Sequence, residues 1–361
     1  MGPATDMGRI LVNAVDMGDV PGVIALAAND AGVIYEGAFG VHELGKPARM
    51  SLDTVVWLAS MTKLVTCVAA MQLVEQRRAE LDDPLQALMP EIARIQVLEG
   101  FDDNGAPRLR PPIRPITLRH LLTHTAGFGY HIWNSDIQRY QEQTGTPPVG
   151  DAKLVTLQGP LLFDPGDRWE YGINIEWAGQ LVERLSGLSL EAYFREHLFG
   201  PLGMVDSAFI IGPEQRSRLA SVHDRQSDGS LLPSDFVFEQ EPEFFAGGAA
   251  LYSTGRDYLR LLRMLLGGGE LDGVRILWPE TVAAMGVNQI GELTVQPLRS
   301  VIPASSNDFE CFPGMVKKWG LGYFIAAEDA PTGRAAAASP GPDCPTPTSG
   351  STRRGASPER F

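Results

Sequence analysis

A serine and a lysine stand three residues apart at the start of an apolar segment, as Ser60-Met61-Thr62-Lys63. Residues i and i+3 of a helix share a face, so the Ser60 hydroxyl and the Lys63 ammonium are expected to be neighbours. A serine hydroxyl is a poor nucleophile unless a base lies beside it, and lysine can be that base where apolar residues disfavour its charge. The pair therefore predicts a serine nucleophile, although an isolated match of this length more often marks a helix cap followed by a solvated lysine.

Two later segments add polar side chains that could serve the same chemistry. One reads LLTHTAG from Leu121 to Gly127, and the other reads PGDRWEYGIN from Pro165 to Asn174. Tyr171 follows a turn and precedes a helix, where a phenol could point into a cleft. Taken alone, the segments leave open an ordinary half-buried tyrosine and a packed histidine at His124.

Apolar periodicity and turn residues predict the elements that must position these groups. Apolar runs on both sides of Asn29-Asp30-Ala31-Gly32 predict an antiparallel hairpin from Gly22 to Gly40. Ser60 to Gln76 has helical spacing, and Leu81-Asp82-Asp83-Pro84 should stop that helix. Thr117 is a plausible N-cap that follows a Pro-rich loop. The loop is Arg108 to Ile116, and further helices are predicted over Thr117 to Leu122, Asn174 to Ser186, Leu190 to Leu198 and Thr254 to Leu266.

Composition excludes several classes of protein. The chain has 361 residues, with 44 acidic and 30 Lys or Arg residues, for a net charge of −14. That charge disfavours binding to nucleic acid or to an anionic membrane surface. The three cysteines, Cys67, Cys311 and Cys344, are too scattered for a disulfide framework or a metal site. No signal peptide or membrane span is recognisable, so a cytoplasmic location is expected.

The motifs, taken in order, resemble the penicillin-recognising serine hydrolases, and within them the family VIII carboxylesterases. This group also contains the class C β-lactamases, the DD-peptidases and related acyltransferases. Each block is weak alone, but the ordered set is specific, and the resemblance runs from about Gly22 to Arg334. The blocks are Ser60-x-x-Lys63, LDDPL at 81–85, LLTHTAG at 121–127, PGDRWEY at 165–171, LFGPLGM at 198–204, GGAALYSTGRDYLRLLRMLL at 247–266 and GGELDGVRIL at 268–277.

The resemblance implies the role of each candidate residue. Ser60 is the acylated nucleophile, Lys63 helps to take its proton, and Tyr171 completes the proton relay and activates water for deacylation. The backbone N–H of Ser60 and a second one from a late strand form the oxyanion hole. No cofactor or metal is needed. His124 and His131 are expected to have packing roles, since this set needs no histidine.

The resemblance also implies an α/β (α+β) fold of the β-lactamase/DD-peptidase type. Residues 1–80 and 236–334 should form an α/β domain whose antiparallel sheet joins the N-terminal hairpin to the C-terminal strands. Residues 81–235 should form an inserted, mainly helical domain. The site should lie in the cleft between them, with Ser60 at a helix start.

Two departures set this chain apart from the family pattern. Class C β-lactamases carry Tyr-x-Asn, whereas here residue 173 is Ile and the asparagine is Asn174. One residue turns a helical side chain by about 100°, so Asn174 should not bind a lactam side-chain amide in the same way. In addition, no Lys-Thr-Gly, His-x-Gly or Trp-x-Gly follows Gly322, where the third motif is expected.

The composition changes after Arg334, and residues 335–361 consist mainly of Ala, Ser, Pro, Gly, Thr and Arg. Residues 340–352 read PGPDCPTPTSGST, and most of these residues fix two bases of their codons. If each free third base is read together with the first two bases of the next codon, the shifted frame can encode Trp-Ala-Gly-Leu-Pro-Asn-Thr-Tyr-Phe-Trp-Leu-Asp. That string is similar to the missing Trp-x-Gly segment. A frameshift near Ala335 is therefore favoured over a natural irregular or disordered tail.

The sequence thus predicts a serine carboxylesterase that hydrolyses short acyl esters through an acyl-Ser60 intermediate. The expected partner is a small-molecule ester, with β-lactams as a further possibility, and neither nucleic acid nor a membrane. Three alternatives remain open: a β-lactamase or DD-peptidase-like hydrolase, an acyltransferase, and a scaffold made inactive by loss of the third motif.

Overall fold

The computed structural model describes residues 3–226, 228–303 and 305–329. Helices are mixed among small antiparallel sheets, as expected for the β-lactamase/DD-peptidase type of fold. The helices are α1 (Pro3–Asp16), α2 (Thr62–Glu75), α3 (Leu118–Leu122), α4 (Ser135–Thr144), α5 (Asn174–Ser186), α6 (Leu190–Phe194), α7 (Gly200–Leu202), α8 (Pro213–Ser217), α9 (Gly255–Leu266) and α10 (Pro279–Met285). The strands are β1 (Gly22–Asn29), β2 (Gly32–Gly40), β3 (Val55–Trp57), β4 (Val97–Phe101), β5 (Pro107–Arg110), β6 (Val222–Arg225), β7 (Leu231–Ser234), β8 (Tyr252–Thr254), β9 (Glu270–Leu271), β10 (Val274–Arg275), β11 (Lys317–Trp319) and β12 (Phe324–Ala326).

The predicted N-terminal hairpin is confirmed. Strands β1 and β2 pair antiparallel from Gly22 opposite Gly40 to Asn29 opposite Gly32. The Asn29 side-chain oxygen accepts hydrogen bonds from the backbone N–H groups of Ala31 and Gly32. Asparagine closes tight turns in this way, which explains why the chain reverses there.

The expected sheet that joins this hairpin to the C-terminal strands is absent from the described residues. Their strands form six separate two-stranded sheets, and β11 pairs only with β12. The link between distant parts of the chain is instead the antiparallel pair of β3 with β8. Strand β12, which ends at Ala326, is the last strand of the described residues.

Most of the predicted helices are confirmed, with one correction to a helix end and one to a predicted loop. Helix α2 ends at Glu75, before the Leu81–Pro84 segment expected to stop it, and Arg77 has a left-handed φ of 56°. A non-glycine residue in that region interrupts a helix directly. The Pro-rich segment Arg108 to Ile116 was predicted to be a loop, but its first residues, 108–110, belong to β5, which pairs with β4. Pro107, just before the predicted loop, stands at the first position of that strand, where proline is tolerated.

Helix α2 lies at the centre of the core. Every residue from Thr62 to Leu73 is buried, and the helix packs against α5. A helix that is apolar all round must be enclosed by other elements, and that burial fixes the orientation of its first turn.

Among the described residues, no helix is both long and apolar enough to cross a bilayer. The division into domains at residues 80/81 and 235/236 stays a prediction.

Candidate active site

Ser60 lies in a short 3₁₀ turn, Ala59–Met61, that leads from β3 into α2. Strand β3 is held by its ladder with β8, and the Leu58 N–H donates to the Leu251 carbonyl at 2.8 Å. Ala59 then adopts φ 46°, a conformation that non-glycine residues rarely take. Strain of this kind concentrates at functional sites, and here it turns the chain sharply so that Ser60 begins the helix.

The predicted proximity of the serine and the lysine is present in the structure. The Lys63 Nζ donates to Ser60 Oγ at 3.1 Å and to the Gly248 carbonyl at 2.8 Å. Lys63 is only 5% exposed. Two of its three N–H donors are therefore directed by fixed acceptors, and one of those acceptors is the oxygen that would act as nucleophile.

A glycine-containing segment, residues 246–251, holds this part of α2 in place; we call it the glycine strap. The Thr66 hydroxyl donates to the Gly247 carbonyl at 2.6 Å. The Thr62 hydroxyl oxygen accepts from the Leu251 N–H at 3.1 Å. Together with Lys63, these side chains bind the strap through one face of α2, so the strap and the first turns of the helix form one rigid wall beside Ser60.

Tyr171 also lies at the site, but it faces Lys63 with its ring rather than with its hydroxyl. The Lys63 Nζ is 4.6 Å from the centre of the Tyr171 ring. The Tyr171 hydroxyl is buried and has no hydrogen-bond partner among the described residues. The next residue, Gly172, lets the chain pack closely against Phe128, because a Cβ at residue 172 would lie 2.1 Å from the Phe128 carbonyl oxygen. For Tyr171 to act in the expected proton relay, its hydroxyl must hydrogen-bond to a group of the substrate, or to a side chain that moves towards it.

His124 and Asn174 form a buried pair behind Tyr171. The Asn174 Nδ2 donates to His124 Nδ1 at 3.0 Å, which leaves the imidazole proton on Nε2. Burial, and secondarily the Lys63 charge, hold the pKa of His124 well below its usual range, so it is neutral near pH 7. Neither side chain lines the cavities beside Ser60. This geometry agrees with a packing role for His124 and with an Asn174 that does not contact a lactam amide.

Ser60 lies between two cavities. The larger one has a volume of about 740 Å³ and has aromatic rings in its lining, with the Trp57 and Phe236 ring centres 4.9 Å apart. His131, which was expected to have a packing role, is part of its lining. The smaller one, about 70 Å³, is lined by Lys63, Tyr171 and Trp319 as well as Ser60.

In the described part of the chain, no three His, Cys, Asp or Glu side chains converge to hold a metal ion.

Three residues of the site were missed by reasoning from the sequence. The Tyr130 hydroxyl donates to Glu176 Oε1 at 3.2 Å behind the glycine strap, and Trp319 packs against His124 with ring centres 5.3 Å apart. Glu176 has the position of an ordinary acidic residue in the first turn of a helix. Its apolar neighbours Ile175 and Trp177 were the signal that this turn would be buried.

The chain is similar to proteins of known name. Residues 7–340 match the family model described as Beta-lactamase. Acyltransferase mokF of Monascus pilosus is 34% identical, over 90% of this chain and 81% of its own length. Lovastatin esterase of Penicillium rubens is 34% identical, over 88% of this chain and 82% of its own length. The unliganded structure of simvastatin synthase from Aspergillus terreus superposes with a TM-score of 0.76 at 32% identity, and the match covers 91% of this chain and 84% of that one.

Proposed function

The chain belongs to the beta-lactamase family, a family of serine hydrolases and acyltransferases, and on that premise we propose that it is a carboxylesterase acting through an acyl-Ser60 intermediate. The observation that carries the proposal is the hydrogen bond of 3.1 Å from Lys63 Nζ to Ser60 Oγ at the mouth of an aromatic cavity. The narrower assignment to the family VIII carboxylesterases is part of the proposal, and the order of the sequence motifs supports it.

The proposed acylation begins when a neutral Lys63 amine removes the Ser60 proton. The oxygen then attacks the ester carbonyl carbon, and the tetrahedral intermediate collapses as the alcohol leaves with that proton. The Tyr171 hydroxyl, which has no partner in the described protein, is free to hydrogen-bond to the leaving or attacking oxygen. In the second half of the cycle, an acceptor hydroxyl loses its proton to the same base and its oxygen attacks the acyl carbon. The bond from that carbon to Ser60 Oγ breaks, and the base returns the proton to Ser60 Oγ.

Transfer to an alcohol instead of water is a second function that specific observations favour. The cavity of about 740 Å³ beside Ser60 has room for a bulky alcohol as well as for the acyl group. The relatives named above include both an acyltransferase and an esterase. The two activities share the acyl-enzyme and differ only in what enters the cavity next, so one protein can perform both.

The cavity also suggests the chemical class of the substrate. Much of its lining is apolar and aromatic, whereas its exposed lining residues, among those described, include three carboxylates, Asp151, Asp224 and Glu239, against one ammonium, Lys153. An excess of negative charge repels an anionic ligand over roughly a Debye length. We infer that neutral, apolar esters and alcohols are preferred to carboxylate-bearing ones. β-Lactams, which carry a carboxylate, should turn over slowly.

The proposed function is tested by covalent labelling and by product analysis together. A fluorophosphonate probe should label the parent chain at Ser60, and a p-nitrophenyl ester should release a burst of chromophore while nitrocefin is hydrolysed more slowly. Addition of a neutral alcohol should divert the acyl group into a new ester. Ser60→Ala should lose the label, whereas the control Ser305→Ala, in the same cavity, should keep it. Labelling that persists without Ser60, or lactam turnover as fast as ester turnover, would refute the proposal.

A further inference from the structure

A buried acid and a buried phenol behind the glycine strap have no part in the mechanism described above. Glu176 is completely buried in the first turn of α5, and Tyr130 is buried beside it. The Tyr130 hydroxyl donates to one carboxyl oxygen, and the other, Oε2, has no hydrogen-bond partner among the described residues. A buried carboxyl that is only half satisfied is costly unless a positive charge compensates it.

The strap separates this carboxyl from the Lys63 ammonium, the one cation of the described residues whose charge acts on it. A Cβ at Gly248 would lie 2.4 Å from Glu176 Oε1 and 2.8 Å from Oε2, so the carboxyl packs directly against the strap backbone. The carbonyl of the same residue accepts the hydrogen bond from Lys63. The Lys63 Nζ is also 5.2 Å from the centre of the Tyr130 ring. Gly248 and Tyr130 thus lie between the two charges, and both touch each of them.

We propose that Glu176 is a positioning residue that compensates the Lys63 ammonium through this thin layer and so sets the pH range in which Lys63 can accept the Ser60 proton. This inference rests on the proposed function, in which Lys63 is the base. Tyr130 orients the carboxyl, and Gly248 is small enough for the carboxyl to approach.

The other titratable groups near Lys63 cannot take this role. The Lys63 charge perturbs the pKa of three buried groups: Cys67, His124 and Glu176. Burial raises the pKa of the Cys67 thiol to about 12 and lowers that of His124, so both are neutral near pH 7. Burial raises the pKa of Glu176 as well, but Lys63 opposes that rise. Two further groups that face Lys63 are phenols, and burial raises the pKa of one of them, Tyr130.

The consequence for pH dependence has a definite sign. An ionised Glu176 favours the charged form of Lys63, whereas the mechanism needs the neutral form. Replacing the carboxylate by an amide should let Lys63 lose its proton at lower pH. Glu176→Gln keeps the shape of the side chain and an oxygen that accepts from Tyr130, so it removes the charge and little else.

The experiment measures the rate of fluorophosphonate labelling of Ser60 against pH, because this readout needs nucleophile activation but not deacylation. In Glu176→Gln, the midpoint of the acidic limb should fall by about one pH unit. Tyr130→Phe removes the hydrogen bond that stabilises the carboxylate, so its midpoint should move in the same direction by less. The control Glu183→Gln removes another carboxyl of α5, half-buried, one that accepts from the Leu190 N–H, and should leave the midpoint unchanged.

The outcomes distinguish this inference from the proposed function. A parent chain that is not labelled at Ser60 overturns both. A parent chain that is labelled, with unchanged midpoints in Glu176→Gln and Tyr130→Phe, overturns only the role of Glu176. If Glu176→Gln fails to fold, as judged by its melting temperature, Tyr130→Phe decides alone, and an unchanged midpoint in that variant overturns the inference. A midpoint that moves equally in Glu183→Gln also overturns it, because the effect is then not specific to the site.

Discussion

The two sides of Ser60 are built in different ways. On the strap side, Thr62, Lys63 and Thr66 all hydrogen-bond to backbone atoms of residues 247–251. On the opposite side, which we call the aromatic wall, the Tyr171 hydroxyl and the indole N–H groups of Trp169 and Trp319 are buried without partners in the described protein. Each of the three α2 side chains thus has its partner in the strap, whereas the three polar groups of the aromatic wall have none among the described residues. Buried polar groups are nearly always paired, so unpaired ones beside a candidate site call for an explanation, such as a group that binds there.

This difference suggests a division of labour between the two sides. Fixed hydrogen bonds orient the proposed base and the proposed nucleophile before a substrate arrives, and such preorganisation reduces the cost of reaching the transition state. Donors that are unpaired in the protein give up no other partner when they hydrogen-bond to a substrate oxygen. Activation of Ser60 is therefore assigned to the strap side, and recognition of the reacting oxygens to the aromatic wall.

The largest expected effect comes from breaking the strap side at its centre. Lys63→Ala removes the base and both of its hydrogen bonds, so kcat should fall by several orders of magnitude, on the order of 10³ or more. Steady-state hydrolysis of a p-nitrophenyl ester measures it. Since residues that act as a unit are non-additive, Lys63→Ala combined with Tyr171→Phe should be little worse than Lys63→Ala alone. Full additivity of the two losses would mean that the two sides work independently.

Tyr171→Phe sharpens the comparison because it should separate activity from stability. The lost hydroxyl has no partner in the described protein, so the free energy of unfolding should change by no more than about 0.5 kcal/mol. In contrast, kcat should fall on the order of 10²-fold, because proton transfer by a positioned side chain contributes about that much. Urea unfolding and ester hydrolysis on the same preparation give both values. A variant that loses stability but keeps kcat would remove Tyr171 from the mechanism.

The C-terminal segment provides the next test. The frameshift prediction for residues 335–361 lies outside the described residues and stays a prediction. If a single-base correction restores the Trp-x-Gly segment with its oxyanion donor, activity should rise on the order of 10²-fold and the melting temperature should increase. Resequencing of the source gene decides the origin of the segment. A restored chain that is no more active and melts no higher would show that the tail is native.

Gly248→Ala tests how tightly the strap is packed. The new Cβ would lie 2.4 Å from Glu176 Oε1, so the strap or the carboxyl must move, at a cost of about 1–3 kcal/mol in unfolding free energy. Gly286→Ala is the matched control, because its Cβ would have its nearest contact at 3.7 Å. Denaturant unfolding of both variants measures the difference. Equal stability of the two would mean that the strap is looser than its contacts indicate.

The smallest effect is expected from Trp319→Phe, in the aromatic wall. This change removes an N–H that has no partner but leaves an aromatic ring against His124, so stability should change by less than about 1 kcal/mol. KM should rise if the N–H binds the substrate. Thermal unfolding and the KM for a p-nitrophenyl ester check these two outcomes. A large loss of stability would show that the wall is as rigidly built as the strap.

Features set by residues close together in the sequence were predicted correctly, whereas features set by contacts between distant segments were not. Helix α5 was predicted to its observed bounds because apolar periodicity is a local signal, and in the structure a left-handed Gly187 ends the helix there. The pair of Ser60 and Lys63 was likewise set by helical spacing. The hydrogen bond from Lys63 to Gly248, and the contact of Gly248 with Glu176, join segments far apart in the chain and leave no local trace. The joined sheet was expected from resemblance alone, and the described residues do not contain it.

The central claim is that Ser60 forms an acyl intermediate activated from the strap side. Its most direct test is mass spectrometry of the intact chain and its peptides, quenched in acid during turnover of p-nitrophenyl butyrate. The account predicts one butyryl group on the peptide that carries Ser60 in the parent chain, and none in Ser60→Ala. A parent chain without the adduct while the ester is consumed, or an adduct on another residue, would contradict the account.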